Sequence, residues 1–150
     1  MPEQIDLLAE FEPVRWVRPF GNGLWRPCGE ATGAIDAHCL PVAPMTGNGL
    51  LDIVAWAWDR PGTWWRRTGR AGWLGDQWLD DPPNGRSVAV VETPREWLAN
   101  RCEAVCVLDW RVDLAAILDG APDLICSTAR LAARISTAIA GKAAVRVVAP

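Results

Sequence analysis

Ser87-Val88-Ala89-Val90-Val91-Glu92-Thr93-Pro94-Arg95-Glu96-Trp97-Leu98 is the stretch that decides the fold. Its first five residues are apolar and β-branched enough to read as a buried strand. Thr93 then offers an N-cap, Pro94 a first helical position that needs no N–H, and Glu96 the carboxylate that completes a capping box. A strand running straight into a capped helix opens a β-α-β unit. The pattern repeats downstream. Ala104–Leu108 is a second apolar strand, Asp109 caps a helix through Leu118, and Gly120 and Pro122 end it. Asp123–Cys126 is a third strand. Ser127 caps a helix with Leu131, Ile135 and Ile139 on one face, and Gly141 ends it. Ala143–Val148 closes as a strand. The order βαβαβαβ predicts a small, mostly parallel sheet.

Upstream of Pro82-Pro83-Asn84-Gly85 the character differs. Residues 2–11 read as a short acidic helix. Val14–Phe20 and Leu24–Arg26 flank Gly21-Asn22-Gly23, and Asn-Gly favours a hairpin because both central residues need positive φ. Asn48-Gly49 precedes a strand over Leu50–Trp58, and Pro61-Gly62 turns the chain into Thr63–Thr68. A short helix is expected around Gly72–Leu79. The expected fold is therefore α+β in one domain, 1–150. An N-terminal antiparallel β-meander (1–85) packs with a small C-terminal βαβαβαβ, mostly parallel sheet (86–150).

Composition narrows the function classes. Half of the 150 residues are apolar, enough for a core, and no run approaches the roughly 18 residues of a membrane span. The first six residues carry acids where a signal peptide carries bases, so a cytoplasmic location is expected. A net charge of -3 argues against a dedicated duplex-DNA binder. Five cysteines in irregular spacing read as reduced thiols. One Lys against fourteen Arg, with no Tyr, looks like coding in a GC-rich genome, so Arg abundance alone is no sign of phosphate recognition. Ten Trp are harder to dismiss, because each needs a place to pack.

Two basic, aromatic, acid-free stretches are candidate binding surfaces: residues 14–26, with Trp16 and Arg18, and residues 60–75, with Trp64, Trp65, Arg66, Arg67 and Arg70. On strands they can stack bases and track phosphates, or place Trp inward and Arg stems outward. The second arrangement is the commoner. Trp64 and Trp65 are adjacent, so they should face opposite ways. Asp52, mid-strand on a face with Val54, Trp56 and Trp58, is either a functional buried carboxylate or one bonded within the fold. Cys28, His38 and Cys39 have the wrong spacing for zinc, and adjacent His38 and Cys39 on a strand cannot serve one another. No Walker loop, GxGxxG, Gly-x-Ser-x-Gly or His-Glu-x-x-His is present.

Glu92 after one strand and Asp109 after the next resemble a fragment of the Toprim domain of primases and topoisomerases, over residues 87–113. The family's Asp-x-Asp reads Asp109-Trp110-Arg111 here, and Asp113 lies a helical turn further on. The resemblance implies magnesium on Glu92, Asp109 and Asp113. The simpler reading makes the acids helix caps, with no cofactor. The motifs Leu51-Asp52-Ile53-Val54-Ala55-Trp56, Trp64-Trp65-Arg66-Arg67-Thr68-Gly69 and Thr93-Pro94-Arg95-Glu96-Trp97-Leu98, with Val107-Leu108-Asp109-Trp110, resemble short uncharacterised proteins of proteobacterial phages and prophages, over roughly residues 14–110. That likeness implies a mobile element and a macromolecular partner. The leading expectation is a non-catalytic accessory protein with a protein partner. A single-stranded nucleic-acid binder or degenerate Toprim-like nuclease comes second, and a thiol or metal hydrolase last.

Overall fold

The computed structural model describes residues 15–150 except Met45, Asn48, Ala143 and Ala144. The helix expected over 2–11 and parts of the Asn48-Gly49 turn and the closing strand lie outside the described residues. The chain divides into two compact units between Ala71 and Gly72. The change of character at residues 82–85 falls inside the second unit, because Trp73 and Leu74 join the C-terminal sheet.

The first unit is a closed barrel of β1 (Trp16–Phe20), β2 (Leu24–Pro27), β3 (Ile35–Val42), β4 (Asp52–Ala57) and β5 (Trp64–Arg66), in the order β1-β2-β5-β4-β3. Asn22 and Gly23 take φ of 70° and 71° at the tip of the β1–β2 hairpin, as the Asn-Gly reading requires. The expected meander does more than run back and forth. β1 pairs with β3 as well as β2, and β2 joins β5 in parallel at Leu24 and Arg66, which closes the ring. Val17, Trp25, Ala37 and Ala55 fill the core, with Ile35, Cys39, Ile53 and Trp65 packed against them. The Trp25 indole N–H donates to Ile53 O at 2.9 Å, so the ring is buried without a lost hydrogen bond.

Asp52 is 1% exposed. Its Oδ1 accepts from Ile53 N and Thr68 N, both at 2.8 Å, and its Oδ2 accepts from Ala71 N at 3.0 Å. Arg66, 5% exposed, donates from Nη1 to Gly69 O at 3.0 Å and Ala71 O at 2.9 Å. Thr68 Oγ1 donates to Leu51 O. The 66–71 segment is thereby tied to the head of β4 by its own main chain. Of the two readings open for Asp52, the carboxylate bonded within the fold is the one found.

The second unit holds β6 (Trp73–Leu74), β7 (Ser87–Val91), α1 (Pro94–Ala99), β8 (Ala104–Val107), α2 (Leu114–Leu118), β9 (Asp123–Cys126), α3 (Ala129–Ile139) and β10 (Val147–Val148). The sheet order is β10-β9-β7-β8-β6, parallel throughout except that β6 runs antiparallel to β8. The fold is α+β. The helix expected at 72–79 is instead strand β6 and a 3-10 turn over Asp76–Leu79. Gly75 makes that break: its φ is 74°, and a Cβ would run into Ala104 O and Trp97 Nε1.

Val88, Val90, Val105, Val107, Leu124 and Cys126 form one core with Leu114 and Leu118 of α2 and Leu131 and Ile135 of α3. Each fully buried Leu or Ile there contributes about 1.5–3 kcal/mol. Thr93 Oγ1 caps α1 by accepting from Glu96 N at 3.1 Å. The reciprocal bond is shifted by one residue, Glu96 Oε2 accepting from Glu92 N at 2.9 Å. Two other caps differ from expectation. Asp113, not Asp109, caps α2, and Thr128, not Ser127, caps α3. Ser127 N is bound to Val90 O, extending the β7–β9 ladder, and Asp109 is held by Arg111.

Asp52→Asn tests the barrel's polar knot. Whichever way the amide turns, an N–H₂ faces at least one main-chain N–H. Urea unfolding should show a loss of about 2–4 kcal/mol; a loss under about 0.5 kcal/mol, the range of ordinary surface changes, would contradict this account.

Candidate functional site

The seven Trp and Arg residues singled out from the sequence do not share one surface. Trp64 and Trp65 face opposite ways: Trp65 lies opposite Ala55 and packs on the barrel core, while Trp64 lies opposite Trp56 on the other face. Arg66 shares the face of Trp64, opposite Val54, and is buried there. Arg67 and Arg70 are exposed, and the Arg67 guanidinium sits 5.9 Å from the Trp25 ring centre. Trp16 is half-buried with the Arg15 guanidinium 5.3 Å from its ring. Arg18 is also half-buried, and its Nη2 donates to Thr32 O at 3.3 Å.

A groove of about 890 Å³ opens on the barrel where β3 meets the end of β4, and Asp36, His38, Cys39, Trp58 and Arg60 are among the residues lining it. Strand register sets His38 opposite Trp56 and Trp56 opposite Trp64, an aromatic row across three strands. The His38 ring stacks on Trp56 with centroids 5.4 Å apart, and its other neighbour is the tilted ring of Trp58. Trp58 is 61% exposed. Asp36 takes a two-point ion pair from Arg15, at 3.1 and 2.9 Å. That guanidinium, first by hydrogen bonding, holds the Asp36 carboxyl below its ordinary range. Arg60 lies 3.7 Å from Asp59. Sequence reading missed Trp58 because it continues the alternation of Asp52, Val54 and Trp56. The strand ends at Ala57, so the last ring of the series is left in the turn.

Cys39 belongs to the barrel interior, and burial pushes its thiol up to about 11. Burial likewise raises Cys126 to about 11 and pushes Cys102 and Cys106 up. Such thiols are poor nucleophiles at neutral pH.

In the second unit, β7 leads to β8 on one side, while β9 and β10 lie on the other. The topological switch point therefore falls between the carboxyl ends of β7 and β9, where ligands of open α/β sheets bind. Glu92 spans it. Its Oε1 accepts from Thr128 Oγ1 at 2.9 Å and Arg130 Nε at 3.2 Å, and its Oε2 from Arg130 Nη2 at 3.1 Å. The protein's own carboxylate thus sits by the α3 N-terminus, where a phosphate would otherwise be favoured. Asp109 is bonded by Arg111 N, Nε and Nη2 at 2.9–3.0 Å, and Asp113 caps α2. The three acids of the magnesium reading are thus held in three separate arrangements. Among the described residues, no group of three or more His, Cys, Asp or Glu is placed to hold a metal ion. Thr128 and Arg130 were not foreseen. Thr128 follows a serine that is an equally good cap on paper, and nothing local marks Arg130.

Two measurements follow. At pH 8, alkylation of Cys39 in the native protein should be about 10²-fold slower than in the unfolded chain, because the thiolate is that much rarer. The native rate should climb until pH nears about 11; equal rates at pH 8 would show the thiol is activated. The Glu92 carboxyl is held low, chiefly by its hydrogen bond from Arg130. A lowered folded value means the stabilisation is complete above the ordinary carboxylate pKa of about 4.3 and fades as pH falls through the lowered one. Glu92→Gln should therefore cost about 0.5–1 kcal/mol at neutral pH. The gap to the parent should close in urea melts below about pH 4, and a gap that persists there would point to packing instead. Compared with known proteins, the chain matches no family model, no curated protein and no solved structure.

Proposed function

We propose that this chain is a non-catalytic accessory protein that binds a protein partner through the Trp58 groove of its barrel. The exposure of Trp58 carries the reading. A large indole held in place by His38 and left mostly in water is costly for a monomer and is the residue type most enriched at interface hot spots. The surrounding charges support a protein over a polyanion. Arg15 and Arg60 are each beside an aspartate, so the groove offers both signs and no cationic track. The non-catalytic part rests on the raised thiols and on carboxylates already engaged by arginines or by helix N–H groups. A nuclease or hydrolase needs such groups free to meet substrate.

The setting proposed is a phage or other mobile element, after the resemblance of the Trp64–Gly69 and Thr93–Leu98 motifs, with a cytoplasmic location. Among the described residues no helix is long and apolar enough to cross a membrane.

A photo-crosslinking residue at position 58, in cells carrying the native gene neighbourhood, tests this. We expect one discrete protein adduct, resistant to nuclease, that is absent when the probe replaces exposed Ile117. Trp58→Ala should abolish the interaction and shift stability by less than about 0.5 kcal/mol, as for an exposed site. An adduct removed by nuclease, or identical adducts at both positions, would sink the proposal.

A further inference from the structure

The β1–β2 hairpin presents charges that no carboxylate among the described residues neutralises. Arg18 and Arg26 stand directly opposite one another. Like charges in that relation are destabilising. Val17 and Trp25 point into the barrel core, so alternation puts Arg18, Phe20, Leu24 and Arg26 together on the outer face. Arg26 is exposed and makes no hydrogen bond or ion pair among the described residues, and Phe20 beside the tip is 48% exposed. Arg67 and Arg70 are likewise without a carboxylate partner among the described residues. Residues 15–71 hold seven arginines against four acids, a net +3 inside a chain of net -3. Residues 1–14 of the same unit carry four further acids, so the excess belongs to the described barrel residues and not to the unit as a whole.

We propose that the outer face of the β1–β2 hairpin binds single-stranded nucleic acid, with Arg18 and Arg26 on phosphates and Phe20 under a base. The chemistry favours this ligand over an acidic peptide. One two-pronged guanidinium already saturates a carboxylate, whereas a run of phosphates uses both arginines. An exposed ring next to the cations adds stacking that any base can use. Arg18 and Phe20, two residues apart on one strand, are about 7 Å apart, a spacing suited to successive groups of an extended strand. A surface that keeps two opposed arginines at a cost in stability is one whose repulsion is relieved by the ligand.

Fluorescence anisotropy with a labelled oligothymidylate of about 12 nucleotides tests it, the length lying within site sizes of small barrels. The full chain should bind at low salt, and affinity should fall steeply as salt rises. Arg26→Thr carries the test, because the side chain has no partner to lose among the described residues. It should weaken binding several-fold and flatten the slope of log affinity against log salt by about 0.7, while raising the Tm of the free protein. Arg26→Glu should abolish binding, and Phe20→Ala should weaken it roughly tenfold. No binding at low salt, binding indifferent to Arg26→Glu, tighter binding to a duplex of the same length, or an Arg26-dependent preference for oligoglutamate would each overturn the proposal. Trp58→Ala should leave oligonucleotide affinity unchanged, so failure here and failure of the protein-partner reading are separately visible.

Discussion

The barrel depends on a single buried carboxylate. Asp52 gathers the N–H groups of Ile53, Thr68 and Ala71, two of them from a segment that forms no strand. An irregular segment can be buried only if its polar groups find partners. Asp52 supplies acceptors for its N–H groups, and Arg66 supplies donors for its carbonyls at Gly69 and Ala71. The two charged side chains thus act as complementary halves of one device, each satisfied by main chain. β5 is only three residues long, and its parallel contact with β2 rests on the single pairing of Leu24 with Arg66. Without the Asp52 knot, so short a strand has little to keep it in register and close the ring.

How much of this was legible depends on how local each cause is. The capped strand-to-helix passage at residues 87–98 was readable because Thr93, Pro94 and Glu96 act within one turn. The Asn22-Gly23 tip was readable for the same reason. Barrel closure was not, since it joins residues 24 and 66 across more than forty positions of chain. β3 was the hardest strand. Pro41 lies inside it, and Pro usually demotes a strand, yet β3 pairs with β4 along six residues. The misplaced caps share another cause. Asp109 and Ser127 are chemically sound caps, but each was claimed first by something else, the guanidinium of Arg111 and the β7 ladder at Val90. Sequence signals name residues that can cap; tertiary competition decides which do.

The candidate sites divide in the same way. The Arg-rich stretch at 60–75 looked like one surface because its residues are consecutive, but strand alternation and burial distributed them. Trp65 went to the barrel core, Arg66 was buried on the opposite face, and Arg67 and Arg70 stayed outside. Trp58 escaped notice for the opposite reason, since its parity matched that of buried neighbours until the strand stopped one residue short. The acids at the carboxyl edge of the parallel sheet stood where chemistry usually sits. What the sequence did not carry is that Arg130, on α3, already answers the charge of Glu92.

The two units differ in what they leave unsettled. In the α/β unit the polar groups of the switch point close on one another: Glu92 with Thr128 and Arg130, Asp109 with Arg111, Asp113 with the α2 N-terminus. A self-neutralised crevice at the one place where such sheets bind ligands argues that this unit is mainly scaffold. The barrel is the reverse. It buries its charged pair for architecture and leaves an exposed indole, an exposed phenyl ring and three exposed arginines that have no carboxylate partner among the described residues. Each of these raises the free energy of the isolated protein, by exposed apolar surface or by repulsion between like charges. Stability lost at the surface without a structural return is the usual mark of residues kept for contact with something else.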